Sequence, residues 1–422
     1  MNKETQELIN SLSELVKIDS VESAPKEGMP FGEGAAKALN TALDIAKNMG
    51  FETINYDNYI GEVIFGDGEP FAVLSHLDVV PAGKFSDWEH PPFSAYFDGE
   101  TLYGRGTIDD KGPLVATLYA MKRLKEEGFK PKKQIRLILG CDEESGKECI
   151  KHYLSYRPLP DTGFSPDADF PVIYAEKGIL HFECTCHLNG DIVQSASGGV
   201  APNVVPGYAC VKGVYDADKA RKFGLRKNGD LIESFGKTAH ASEPHNGVNA
   251  IYPLICYMEE IGAVNRAIRE VLFEDCLNLK QLSDVTGPLT MSPDMIKAEN
   301  GKLVITVDVR YPATMDESVV IPKLENYFEI KLLAHEKPLY NDPDSKLIQT
   351  LLNVYNRNTG KNLQPIAIGG GTYARELKLG AGFGPVEAGE ISLAHQPNEK
   401  ITVKRLETLV NIYYDALKEL TN

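Results

Sequence analysis

Close to the start of the chain, Leu8, Leu12, Leu15 and Val16 recur at helical spacing on one face and predict a helix. Ala35 to Met49 repeats that pattern and stops at Gly50. Phe71-Ala72-Val73-Leu74 and Gln134–Gly140 are short apolar runs of buried-strand type, and Leu114–Lys125, entered through Gly112-Pro113, is helical between them. Strands alternating with helices predict a mostly parallel sheet covered on both faces. After Gly178 the texture changes. Ile179–Leu188, Tyr208–Val214 and Leu303–Val309 alternate as half-exposed antiparallel strands do, with helices predicted around Asp216–Phe223, Gly247–Glu274 and Asp316–Phe328. From about Asn341 the first texture returns: a helix at Ser345–Arg357, a short strand at Ile366–Ile368 and a long helix at Val403–Leu420. The pattern predicts an α/β chain. One domain, a mixed, mostly parallel sheet with helices, is built from residues 1–178 and 340–422, and an α+β domain at 179–339 is inserted into it.

Composition narrows the partners. The 422 residues carry a net charge of −16, which argues against nucleic acid and anionic membrane. Met1–Thr5 leads directly into the first helical pattern with no apolar leader, and no apolar stretch approaches spanning length. Seven cysteines, an odd number at irregular spacing, fit no disulfide framework and favour a reducing compartment, so a cytoplasmic location is expected. Cys184-Thr185-Cys186 is too closely spaced for a zinc knuckle, and a strand there places both thiols on one face.

Five motifs carry hard or borderline metal ligands beside turn residues: Ser75-His76-Leu77-Asp78, Gly104–Gly112 around Asp109-Asp110, Asp142-Glu143-Glu144, Ser165-Pro166-Asp167 and Ala394-His395-Gln396. Taken singly, each also fits a capped turn or a solvated loop. Together they supply two imidazoles and at least three carboxylates, enough for two divalent ions sharing a carboxylate and a water. His76 and Glu143-Glu144 follow predicted strands, where α/β sheets place ligands. Asp78 is close enough in sequence to accept the second ring N–H of His76. Of two adjacent acids, one can bind metal while the other serves as general base.

In combination these motifs resemble the aminoacylase and carnosinase group of co-catalytic metallopeptidases, more closely its PepV-type dipeptidase branch. Further matching stretches are Pro30–Gly34, Trp88–Phe93, Phe170–Gly178 and Gly369–Arg375, so the resemblance covers essentially the whole chain. It implies that His76 and Asp167 hold one metal, Glu144 and His395 the other, and Asp109 bridges them. Asp78 would orient His76, and Glu143 would act as general base and then proton donor. A cis peptide is implied at Asp109-Asp110. The inserted domain becomes a lid. His240, in Lys237–Ser242, would stabilise the oxyanion; Asn203 and Arg310 would bind the substrate carboxylate; Gly371 and Thr372 would line the substrate. The implied cofactors are two zinc or manganese ions, with cobalt possible in vitro. The chain is shorter than the larger relatives within the insert, leaving monomer and homodimer both open.

The expected activity is hydrolysis of unblocked dipeptides through water held by the two metals. One rival is an N-acyl amino acid deacylase of the same clan, which needs no pocket for a free α-amino group. The other is a non-catalytic metal-dependent binding protein, against which the presence of Glu143 argues.

Overall fold

A computed structural model describes the whole chain, Met1–Asn422. It divides into two units. The first comprises Met1–Tyr174, Asn341–Ile366 and Thr372–Asn422; the second comprises Ala175–Tyr340 and Ala367–Gly371.

A five-stranded mixed sheet lies at the heart of the first unit, in the order Glu52–Tyr56, Ile60–Phe65, Lys133–Gly140, Glu69–His76, Thr162–Phe164. The first two pairings are antiparallel and the last two parallel. Glu69–His76 has a parallel neighbour on each side, and Phe71, Ala72, Val73 and Leu74 are all buried. A strand covered on both faces has no solvent side to mark with polar residues, hence the continuous apolar run. Helices form where predicted, at Lys3–Val16, Glu33–Asn48, Lys111–Glu126, Lys346–Thr359 and Val403–Leu420. Side-chain caps start several of them. The Asn2 Oδ1 accepts the Thr5 N–H at 2.8 Å, and the Thr402 Oγ1 accepts the Arg405 N–H at 3.1 Å. The chain's last helix packs on Lys111–Glu126 and Lys346–Thr359, and beyond it the Thr421 carbonyl accepts the Lys132 N–H at 2.7 Å.

The parallel pairing sets His76 opposite Gly140. Three strands therefore end side by side, with His76 closing one of them and the segments leaving the other two carrying Glu143-Glu144 and Asp167. Gly140 is required there: a Cβ would lie 2.2 Å from the Tyr373 hydroxyl.

The second unit holds an eight-stranded antiparallel sheet, ordered Arg226–Asn228, Leu231–Phe235, Tyr208–Gly213, Val193–Gly198, Thr290–Glu299, Lys302–Tyr311, Gly178–His187, Glu329–Glu336. Its core includes Leu254, Ile255 and Met258 from the helix Ile251–Glu260. Two helical expectations fail here. The pattern over Gly247–Glu274 is broken at Gly262, which adopts φ 78° and ends Ile251–Glu260; only a π-helical turn, Arg269–Phe273, follows. Asp316–Phe328 yields a 3-10 turn at Glu317–Val319 and a four-residue helix at Ile321–Leu324. Pro322 has no N–H to return to the preceding turn, so the two pieces stay separate. All seven cysteines are free, and no helix is long and apolar enough to cross a membrane.

Candidate metal centre

Asp109 lies between two imidazoles. Its Oδ1 is 3.0 Å from His76 Nε2, and its Oδ2 is 2.8 Å from His395 Nε2. His76 Nε2 is also 3.4 Å from Asp167 Oδ2, and His395 Nε2 is 3.1 Å from Glu144 Oε1. His76, Asp109 and Glu144 present ligand atoms within 4.8 Å of one another, as do His76, Glu143 and Asp167. All of these groups belong to the first unit.

The donor set suits a pair of divalent cations. His76 Nε2 and Asp109 Oδ1 are buried and face each other, yet neither makes a hydrogen bond. Polar atoms so placed are costly unless a shared cation meets them. Contacts with Asp109 and Glu144 raise the His395 imidazole to about 11. Burial pushes the Glu143 carboxyl up to about 8. Burial and the neighbouring Asp109 charge push Glu144 up to about 7. Burial works against the Asp109 charge, but the imidazoles of His395 and His76 hold its carboxyl below the usual range.

Several neighbours fix these side chains. The His76 Nδ1 lies 3.0 Å from the Asp78 backbone carbonyl, which is the nearer acceptor; the Asp78 carboxylate Oδ1 is 3.5 Å away. The carboxylate does other work: its Oδ2 accepts the Glu144 N–H at 3.0 Å. Asp110 accepts the Ser75 hydroxyl and, at 3.3 Å, the His76 N–H. The Asp109–Asp110 peptide is cis. Sequence reasoning missed Asp110, Arg105 and Glu399 as supports. Arg105 sits between Gly104 and Gly106, both at positive φ, and that tight turn was the one available signal.

The second unit holds most of the remaining candidates. Exposed His240 lies on the short strand Ala239–His240, paired with Val204–Val205, and its Nδ1 accepts the Ser242 N–H at 3.1 Å. The Asn203 carbonyl accepts the Ala241 N–H at 2.9 Å, so Asn203 and His240 sit on adjoining backbone. Arg310, on Lys302–Tyr311, is 5% exposed and engages Asp308 through Nε and Nη2, each at 2.8 Å. His181 Nε2 meets the same carboxylate at 2.8 Å. Gly371 precedes Thr372, whose Oγ1 accepts the Ala374 N–H at 3.1 Å and opens the 3-10 turn Tyr373–Glu376.

Residues 72–419 match the family model described as Peptidase family M20/M25/M40. The Putative dipeptidase YtjP of Bacillus subtilis (strain 168) is 33% identical over 455 aligned residues, covering 99% of this chain and 98% of its own. The Beta-Ala-Xaa dipeptidase of Lactobacillus delbrueckii subsp. lactis is 35% identical over 452, covering 98% and 96%. Among solved structures, the M20 family metallo-carboxypeptidase Sso-CP2 from Sulfolobus solfataricus shares the fold with a TM-score of 0.63, over 99% of each chain, at 16% identity.

Proposed function

The chain belongs to peptidase family M20/M25/M40, and from that membership we propose that it is a metal-dependent dipeptidase acting on unblocked dipeptides. The observation that carries the proposal is Asp109 spanning His76 and His395, one carboxylate oxygen to each imidazole. His76 and Asp167 would hold one divalent ion, Glu144 and His395 the other, and Asp109 both. Imidazole and carboxylate ligands suit zinc or manganese, with cobalt as a substitute in vitro. When bound, such ions act as Lewis acids on the scissile carbonyl and the attacking water.

The chain's own groups supply the rest. Glu143 lies within reach of the His76–Asp167 cluster. From that place its carboxylate takes a proton from the attacking water and returns it to the leaving amine. Asp78 and Asp110 hold His76 and Glu144 in place through backbone and ring contacts. In the second unit, His240 is assigned to the oxyanion, and Asn203 with Arg310 to the substrate carboxylate. Asp308 occupies the Nε–Nη2 edge of Arg310, which fixes the plane of the guanidinium and suits it to a planar partner. Gly371 and Thr372 are assigned to the wall around the substrate. Residues 1–178 and 340–422 thus serve as the catalytic domain and 179–339 as the lid, in a cytoplasmic protein that is a monomer or a homodimer.

The deciding experiment is turnover of an unblocked dipeptide by the purified protein, before and after stripping and restoring zinc or manganese. Activity that follows the metal is expected. Absence of turnover in a fully metal-loaded sample would favour a binding protein, and a preference for N-acetylated substrates a deacylase.

A further inference from the structure

His395 is an unusual residue to entrust with a ligand position. Its backbone adopts φ 63°, which L-residues rarely do, and its side chain is 51% exposed. Something must hold this loop against the segment that carries Asp109. Glu399, four residues on, is completely buried, as is Arg105 at 2% exposure, and the two are paired at 2.7 Å. The two oxygens of Glu399 have separate duties. Oε1 accepts the N–H groups of Ile108 at 2.8 Å and Asp109 at 3.3 Å, while Oε2 accepts from Arg105 Nη1. Arg105 Nη1 also donates to the Gln396 carbonyl at 3.2 Å, next to His395. The Glu399 carbonyl accepts the Gly104 N–H at 2.9 Å. The guanidinium lies 5.2 Å from the Trp88 ring centre, and the Trp88 indole N–H is anchored on the Ala82 carbonyl at 2.8 Å.

We propose that Arg105 and Glu399 are positioning residues, an ion pair that sets the separation of Asp109 and His395 and so tunes affinity for the shared metal pair. The inference rests on the metal-centre reading above. An apolar pair would fill the same volume without the cost of burying two charges. It would leave the Ile108 and Asp109 N–H groups and the Gln396 carbonyl without these partners. Every one of those bonds reaches a ligand residue or its immediate neighbour, which is where outer groups govern metal affinity.

The test uses the full chain. Glu399→Gln keeps the shape and an acceptor oxygen but removes the charge; Arg105→Lys keeps the charge but not the fork, and serves if the first variant does not fold. Mn2+ affinity is measured by chelator competition, alongside the thermal midpoint. Weakening of about ten- to a hundredfold is expected in either folded variant, with the double variant losing less than the two singles combined. Unchanged Mn2+ affinity in a folded variant, whatever its thermal midpoint, overturns the proposal. His395→Ala is the control. If it loses Mn2+ while Glu399→Gln does not, only this inference falls; if His395→Ala binds as the parent does, the metal-centre reading fails and takes the inference with it.

Discussion

Asp78 joins two residues of the candidate metal centre, taking the backbone N–H of Glu144 on Oδ2 at 3.0 Å and facing the His76 ring on Oδ1 at 3.5 Å. An amide at this position offers only one acceptor oxygen and turns an NH2 towards one of those two N–H groups. Asp78→Asn should therefore weaken metal binding by about ten- to a hundredfold, read by metal titration. Full affinity with unchanged turnover would show that Asp78 serves packing alone.

The adjacent acids separate by role. Glu143→Ala should keep its metal and lose about a hundred- to ten-thousandfold in kcat. Glu144→Ala should instead lose bound metal. Metal analysis and turnover on the same samples check both, and near-normal turnover of Glu143→Ala would remove it from proton transfer.

His240 has the reach of an exposed side chain and a ring oriented by Ser242. A contact that strengthens as charge develops on oxygen affects turnover more than binding. His240→Ala should lower kcat much more than it raises KM. A change confined to KM would place His240 in ground-state binding.

The carboxylate clamp proposed at Arg310 would measure the substrate from its C-terminus. An unblocked dipeptide should exceed its amide, its N-acetyl form and a matched tripeptide in kcat/KM. Losing one charge-assisted hydrogen bond costs about 1.5–3 kcal/mol, or roughly ten- to a hundredfold. Arg310→Ala should erase the preference for acid over amide. Equal rates on dipeptide and tripeptide would refute the clamp.

Asp294 sits fully buried in the second unit, with one oxygen taking the Ser292 hydroxyl at 2.5 Å and the other unpartnered. Burial pushes its carboxyl up to about 8, against about 3.9 in an unfolded chain. The folded protein thus keeps a proton that the unfolded chain releases. The stability this proton confers is whole below about pH 4 and lost as the pH climbs through 8. Asp294→Asn should gain on the parent across that window in paired denaturant titrations, with the gap constant above it. A gap that does not change with pH would mean that Asp294 is ionised throughout.

The sheet and its helices were legible because burial writes itself into the sequence with a short period: Phe71–Leu74 on a doubly covered strand, Leu8, Leu12 and Leu15 on one helix face. The groups that meet around Asp109 were legible as short motifs, with His76 at the end of one strand and Glu143-Glu144 just past another. What stayed hidden depends on partners far away in the chain. Nothing around Glu399 announces a guanidinium 294 residues earlier. Nor does His76-Leu77-Asp78 reveal that the Asp78 backbone carbonyl, rather than its carboxylate, lies nearer the ring, leaving that carboxylate to hold Glu144. The overlong helix expected at Gly247–Glu274 shows the other limit: apolar spacing continued past Gly262, and one residue at φ 78° outweighed it.

The first unit is gathered from three stretches, with Ala175–Tyr340 between the first and the second, and this bears on when the protein becomes competent during its own synthesis. His76, Asp109, Glu143, Glu144 and Asp167 all emerge from the ribosome before that middle stretch, but His395 and its tie at Glu399 emerge after it. Segments made early are the first that can fold. On the proposed assignment of ligands, a nascent chain carries most of the metal centre for the greater part of translation without being able to complete it. Chains halted before residue 395 are expected to be inert, so the cell meets the activity only in molecules that already carry that loop.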